Sequence, residues 1–282
     1  MKSFETLLSS FERELRFRNY SASSIRTYKT AIVLLHKSFN KPVEEITCSE
    51  LKRFLYEKVN TDGLSTSFIN QQISAYKILQ VDILERDWDP IRLKRPRKNL
   101  MFPNILSLEE INLILDAISN IKHRAMVSLM YSAGLRRSEV LAIKPQNIDS
   151  SRMRVKVENG KGGKDRYTIL STKTLETLRL HYRYNRPKVY LFEPNGKPGQ
   201  KLSAATIRSV VKNAVKKAHI SKEVSCHTFR HCFATHLLEN NINLKVIQQM
   251  MGHSSLKTTS RYLQVANVTP ENINSPFDTF NV

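Results

Sequence analysis

The residues of this 282-residue chain that are suited to chemistry lie in its second half. They comprise two arginines, two histidines, a lysine in a glycine-rich turn and a late tyrosine: Arg136, Lys161, His227, Arg230, His253 and Tyr262. A guanidinium group presents a planar fork of N–H donors that matches two oxygens of a phosphate. This combination suits attack of a protein hydroxyl on a phosphodiester, with arginines instead of a metal ion holding the developing charge.

Arg136 and Arg230 are the candidate phosphate clamp, although either one alone would more often be a surface cation. Arg136 follows a residue suited to end a helix, and Glu139 lies three positions further on. We expect Glu139 to orient a neighbouring group; the alternative is stabilisation of a helix N-terminus. His227 and Arg230 are three residues apart, so on a helix they share one face. A histidine there can bond a phosphate oxygen or move a proton.

Tyr262 is the candidate nucleophile, and the alternative for it is core packing. Arg261 and the upstream histidines are expected to lower the pKa of its phenol. Lys161 lies in the turn from Asn159 to Arg166, where glycines allow close approach to a backbone. It is a candidate general acid for a leaving 5′ oxygen; the alternative is a solvated turn lysine. A phosphotyrosine ester would store the bond energy, so strands could be cut and rejoined without ATP.

Zinc is the alternative for the cluster of Cys226, His227, His231 and Cys232. Metal sites usually draw ligands from two separated pairs, whereas these four residues fall on one short segment. The sequence therefore predicts no metal and no other cofactor. His231 and His236 are expected to be ordinary helix residues.

The net charge of +20 favours a polyanionic partner, which we expect to be double-stranded DNA. An acidic membrane surface is the alternative, but no basic amphipathic helix with a broad apolar face stands out. No apolar run is long enough to span a bilayer, and the first residues lack a signal-peptide core. The expected location is therefore the cytoplasm, in association with the nucleoid.

The predicted fold class is mainly α with a small β-hairpin, in two domains. Apolar residues recur at helical spacing through residues 1–90 and predict a four-helix bundle, whose net positive charge fits DNA binding. Residues 91–104 form a basic, proline-containing linker, and residues 105–282 form a catalytic domain with a C-terminal tail. A hairpin is expected around the lysine turn. The cations expected to contact DNA are Arg92, Lys94, Arg95, Arg97 and Lys98 of the linker, together with Lys164 and Arg166; a solvated tether is the alternative for the linker.

Four segments in this order resemble the motifs of the tyrosine recombinase family, which includes phage integrases and Xer-like proteins. Residues 134–139 resemble its first arginine box, and residues 160–166 resemble its β-hairpin lysine turn. Residues 227–237 resemble its HxxR box, and residues 251–262 resemble its terminal histidine and tyrosine box. The resemblance covers nearly the whole chain. Cys226 stands where the family usually has proline, and Met251 where leucine is common.

The resemblance implies a site-specific DNA recombinase with a helical core-binding domain and a catalytic domain. It implies that both arginines bind the scissile phosphate, that His227 assists proton transfer, and that His253 bonds the phosphate. Tyr262 would form a 3′-phosphotyrosyl link, and Lys161 would protonate the leaving oxygen. A tetramer on two DNA sites would exchange strands through a Holliday junction, for integration, excision, inversion or dimer resolution. Phe277 and Phe280 of the tail would dock on a neighbouring protomer.

Two other functions share parts of this pattern. A type IB-like topoisomerase uses the same chemistry in a monomer, and the short chain disfavours it. A non-catalytic DNA-binding accessory protein would need no tyrosine at position 262, so the complete set of six residues disfavours it.

Overall fold

The computed structural model describes residues 3–88, 93–96, 103–160 and 163–266. The chain forms two compact units, Met1–Leu100 and Met101–Val282, and the division between them falls within the predicted linker. In the described ranges, no helix combines the length and apolarity that a membrane crossing needs.

The first unit is a bundle of helices, as its apolar spacing predicts. Its α-helices are α1 Phe4–Phe17, α2 Ala22–Ser38, α3 Cys48–Asp62 and α4 Thr66–Ile78, with a short 3-10 turn at Val43–Glu45 and a π-helical turn at Leu79–Ile83. Each α-helix begins after a serine or threonine whose side chain accepts a bond from a backbone N–H of the first turn. The helices bury an apolar core in which Phe11, Leu15 and Ile32 are fully buried.

The first described part of the predicted linker packs on this bundle. Leu93 is 5% exposed and belongs to the bundle core. Arg95 donates hydrogen bonds to Asn70 and to Ser74 Oγ on α4. Residues 93–96 are therefore attached to the first unit, and the remaining linker cations Arg92, Arg97 and Lys98 lie outside the described residues.

The second unit is also mainly helical. Its helices are α5 Leu108–Asp116, α6 Ile121–Ser132, α7 Arg137–Ala142, α8 Thr172–Asn185, α9 Ala204–Lys217, α10 Cys226–Glu239, α11 Leu244–Met251 and α12 Leu256–Thr259, with 3-10 turns at Pro145–Asn147 and Ser260–Gln264. Helix α5 begins with the predicted capping box of Ser107 and Glu110. Helices α6 and α10 contribute most heavily to the core, so both are held over most of their length.

A small antiparallel sheet completes this unit. Its strands are β1 Ile148–Asp149, β2 Arg154–Val157 and β3 Arg166–Ile169, in the order β1-β2-β3. The β2–β3 hairpin flanks the glycine turn as predicted, whereas β1 is too short to show an alternating pattern. Thr168 Oγ1 of β3 donates to the carbonyl oxygen of Ala133, at 2.9 Å. The sheet is therefore fixed to the end of α6, directly before Arg136, and the predicted mainly helical class with a small sheet is confirmed.

Candidate active site

The Glu139 carboxylate is the centre of a cluster of arginines. Arg136 caps the start of α7, and its Nη1 donates to Glu139 Oε1 at 2.7 Å. Arg166 of β3 donates to both carboxylate oxygens, at 2.8 and 2.7 Å, and Arg230 Nη1 lies 3.8 Å from Oε2. Burial raises the pKa of Glu139, but the bonds and charges of Arg166 and Arg136 outweigh it and hold the pKa at about 2. The carboxylate is therefore ionised at neutral pH.

The Arg230 guanidinium is fixed by backbone acceptors from two other segments. Its Nη1 donates to the carbonyl oxygen of Gly134, and its Nη2 donates to that of Met251. The side chain is 4% exposed. Burial and the charge of Arg136 lower the pKa of Arg230 to about 9. The loop after α6 and the end of α11 thus hold this arginine in one orientation.

His253 joins the cluster through Arg230. Arg230 Nη2 lies 3.1 Å from His253 Nε2, and His253 Nδ1 lies 3.0 Å from Thr259 Oγ1. Because arginine can only donate, Nε2 accepts and Nδ1 carries the hydrogen toward Thr259. Three of the sequence candidates, Arg136, Arg230 and His253, therefore lie in one place although they are spread over 118 sequence positions.

Tyr262 lies beside this cluster in its own chain. It follows α12 in the 3-10 turn, and its residue is 5% exposed. The Tyr262 ring is stacked on that of His253, with centroids 6.5 Å apart. Its phenol oxygen lies 3.0 Å from Nδ1 of His231 on α10. The sequence predicts an ordinary helix residue at His231. The signal for a role in the site is its position four residues after His227, on the same helical face.

The expected lowering of the Tyr262 pKa is wrong. Burial raises the pKa of the phenol, and the opposing charges of Arg230, Arg261 and Arg136 do not cancel that effect. Neighbouring charges were visible in the sequence, whereas the loss of water around the phenol depends on how the 3-10 turn packs against α10.

The residues considered for zinc serve other contacts. Cys232 is fully buried and its Sγ accepts a bond from the Leu106 N–H at 3.2 Å. His231 faces Tyr262, while His227 is exposed one turn earlier on α10. Among the described residues, no group of three or more histidine, cysteine, aspartate or glutamate side chains is arranged to hold a metal ion.

Two glycines allow the close packing around the arginines. Gly134 has φ +61°, and a Cβ there would lie 2.3 Å from the ring of Phe233. Gly252 has φ +60°, and a Cβ there would lie 2.7 Å from Cδ of Arg166. Both positions favour glycine for its left-handed conformation and for its lack of a side chain.

The cations expected to contact DNA differ in their exposure to solvent. Lys164 is exposed on the hairpin, whereas Lys161 lies outside the described residues. Lys94 and the exposed Tyr56 both line one groove of the first unit. The Arg166 side chain is 8% exposed and engages Glu139 and the carbonyl oxygen of Met250, a placement that favours a positioning role over DNA contact. The sequence predicts DNA contact for Arg166 because it lies close to the glycine turn, and the burial of its side chain is decided by the packing of β3 against α7 and α11.

Both units match known sequence families. Residues 104–268 match the phage integrase family, and residues 7–90 match the phage integrase N-terminal SAM-like domain. The chain belongs to the tyrosine recombinase family. Members of this family cut and rejoin DNA, so the recombinase is an enzyme of DNA strand exchange.

Named relatives agree with this assignment, and a solved structure shares the fold. The recombinase is 31% identical over 261 residues to a tyrosine recombinase of Thermosipho africanus, covering 89% of this chain and 91% of the relative. It is 32% identical over 264 residues to the tyrosine recombinase XerA of Pyrococcus furiosus, covering 92% and 89%. Its fold is similar to that of one chain in the crystal structure of a lambda integrase tetramer bound to a Holliday junction. The TM-score is 0.71 at 21% identity, and the match covers 92% of this chain and 76% of that one.

Proposed function

We propose that this chain is a site-specific recombinase in which Tyr262 attacks a DNA phosphodiester held by Arg136 and Arg230. The observation that carries the proposal is the charge of the cluster. In the part of the chain that the structure describes, three guanidinium groups, those of Arg136, Arg166 and Arg230, surround the one carboxylate of Glu139. Buried charges require partners, so the excess positive charge favours an anion at this place. A phosphate beside a buried phenol fits that requirement.

The residues divide the chemistry among them. Arg136, 19% exposed, and Arg230 would bind the non-bridging oxygens of the phosphate and stabilise the charge that develops in the transition state. Attack by Tyr262 Oη forms the 3′-phosphotyrosyl bond and breaks the bond to the 5′ oxygen. Lys161 would protonate that oxygen, and His227 would assist proton transfer. His253 would bond the phosphate through an N–H at Nε2, which then no longer accepts from Arg230. Attack by a free 5′ hydroxyl reverses the step and rejoins a strand.

The positive charge of the chain suits a duplex as the substrate. Exposed Lys164 and the linker cations, including Lys94 and Arg95, would bind the DNA backbone and release counterions. By analogy with the lambda integrase tetramer on a Holliday junction, four copies would act on two sites. A DNA duplex as substrate implies that the protein acts in the cytoplasm, at the nucleoid.

Covalent capture on nicked DNA tests the proposal. A duplex that carries a nick near the cleavage position traps the intermediate, because the short released strand diffuses away. Such a substrate can be selected from a randomised library by the wild-type chain, with EDTA present throughout. We expect a covalent protein–DNA adduct with the wild type and none with Tyr262→Phe.

Other outcomes point to other functions. Cleavage that EDTA abolishes would indicate a metal-dependent nuclease. Binding without adduct on any selected duplex would indicate an accessory DNA-binding protein. An adduct accompanied by relaxation of supercoiled plasmid, without exchange between two sites, would indicate a topoisomerase.

A further inference from the structure

The nucleophile of the proposed reaction has a hydrogen-bond partner that none of the six sequence candidates supplies. Tyr262 Oη lies 3.0 Å from His231 Nδ1, and the two ring centroids are 5.7 Å apart. Tyr262 is 5% exposed, and His231 is partly buried on α10. The contact therefore lies inside the protein and aligns a basic nitrogen with the reacting oxygen.

A buried phenol needs such a partner. Burial raises the pKa of Tyr262, so the hydroxyl keeps its proton at neutral pH. A neutral phenol is a poor nucleophile, and its proton must leave as the bond to phosphorus forms. The acceptor of that proton must lie within hydrogen-bond reach, as His231 Nδ1 does.

His231 is in the state that can accept. Burial, followed by the charges of His227, Arg230 and Arg261, lowers its pKa to about 4. The imidazole is therefore neutral at pH 7, and with the hydrogen on Nε2 it accepts at Nδ1. A phosphate bound by the arginines would offset the same positive charges and make the ring a stronger base when the substrate is present.

We propose that His231 is a catalytic residue that accepts the phenol proton of Tyr262 during DNA cleavage and returns it during rejoining; the proposal rests on the proposed recombinase function. As Tyr262 Oη bonds to phosphorus, its proton moves to His231 Nδ1. The bond between phosphorus and the 5′ oxygen breaks, and its electron pair stays on that oxygen, which takes a proton from the general acid. Rejoining runs each transfer in reverse.

The two histidines of this helix face then have separate tasks. His227 is exposed, whereas His231 lies one turn deeper and contacts the phenol. Among the described residues, the titratable and charged groups that interact with His231 are Tyr262, His227, Arg230 and Arg261. In the cleavage reaction His231 gains a proton from Tyr262, and burial together with the other three groups keeps it neutral beforehand.

The pH profile of single-turnover adduct formation tests this role. We expect His231→Leu to slow cleavage of the selected nicked duplex by about 10²-fold at pH 7, the scale of general-base catalysis. The variant must attack through the phenolate, whose fraction rises about tenfold for each pH unit below the phenol pKa. The ratio of wild-type to variant rate should therefore fall as the pH is raised from 6.5 to 9.5.

Two further variants separate this role from structural ones. His231→Asn keeps an oxygen near the position of Nδ1 but takes up no proton, so it should show the same falling ratio. His236→Leu removes a histidine of α10 that bonds Tyr131 and the Leu106 carbonyl, so its rate ratio to wild type should stay constant with pH. Folding of each variant is checked by thermal unfolding.

The results separate the two proposals. A wild-type rate for His231→Asn, or a constant ratio for His231→Leu, would overturn the proton transfer while leaving the recombinase function intact. Absence of a Tyr262-dependent adduct in the wild type would instead overturn the function itself.

Discussion

At the scale of single residues, Arg136 offers a direct test of phosphate binding. Its side chain is the more exposed of the two candidate clamp arginines, and it is held by Glu139. We expect Arg136→Ala to lower the single-turnover cleavage rate by about 10²- to 10³-fold, as loss of a preorganised donor to a developing oxyanion does. The rate of adduct formation on the selected nicked duplex measures this loss of cleavage activity.

A charge-matched control accompanies that variant. Arg152 is 75% exposed on the turn before β2 and pairs only loosely with Asp149, at 3.5 Å. Arg152→Ala removes the same charge and should leave the cleavage rate within about twofold of wild type, because exposed pairs of this kind contribute little. Equal losses in both variants would contradict a specific role for Arg136.

Glu139 gives a stability prediction with a defined pH dependence. Its pKa is about 2 in the folded chain against 4.5 for a free side chain, so its ionised form stabilises the fold. That contribution is complete above pH 4.5, decreases as the pH falls, and is lost below about 2. Glu139→Gln should therefore destabilise the protein by about 3 kcal/mol at pH 7, since it leaves buried Arg166 and Arg230 without a counter-charge.

Denaturant unfolding at several pH values measures this effect. The difference in unfolding free energy between wild type and Glu139→Gln should decrease as the pH falls from 4.5 toward about 2. Other carboxylates titrate equally in both proteins and cancel in the difference. A difference that is constant down to pH 3 would contradict the assigned ion pairs.

At the scale of elements, the junction between α11 and α12 controls the site. Gly252 follows α11 in a left-handed conformation and packs against Arg166 of β3. Gly252→Ala should destabilise the protein by about 1–2 kcal/mol for the backbone, and by about 1–3 kcal/mol more for the overlap with Arg166. It should also slow cleavage, since Met251 and His253 on either side contact Arg230.

Gly196 is the matched control position for Gly252. It has φ +72°, and a Cβ there would meet no atom within 4 Å. Gly196→Ala should therefore cost only the backbone term, about 1–2 kcal/mol, and leave cleavage unchanged. Thermal unfolding and adduct formation compare the two variants, and equal effects would argue against the Arg166 contact as the cause.

At the scale of the whole molecule, the net charge of +20 predicts strongly salt-dependent DNA binding. Tyr262→Phe is suited to this measurement because it should bind without cleaving. Its affinity for duplex DNA should fall by about 10³-fold or more between 50 and 200 mM salt, as expected when several phosphates are neutralised. A weak salt dependence in a fluorescence anisotropy titration would contradict binding of the duplex through its phosphates.

The C-terminal tail gives a second prediction at this scale. Phe277 and Phe280 lie outside the described residues, and their expected docking on a neighbouring copy stays a prediction from the sequence. Truncation from Ser275 onward should reduce pairing of two DNA sites while leaving single-site binding intact. Native gel electrophoresis with one and two labelled duplexes separates the two steps; unchanged pairing would contradict tail docking.

Local spacing in the sequence was enough for the elements and for much of the site. Serine and threonine caps and apolar spacing predicted the helices of the bundle, and the glycine turn predicted the β2–β3 hairpin. The four family-like segments identified Arg136, Arg230, His253 and Tyr262 as candidates. These features depend on residues within a few positions of each other, and helix periodicity and capping are patterns of that same short range.

Tertiary packing decided which groups share an environment. The pairing of Glu139 with Arg166 joins residues 27 positions apart, and the contact of His231 with Tyr262 joins residues 31 apart. Burial reversed the expected pKa shift of Tyr262, because removal of water depends on every element packed around the phenol. The sequence alone determined the family, the helices and the reactive residue types; only the folded chain decided which side chains lose water and which nitrogen faces the nucleophile.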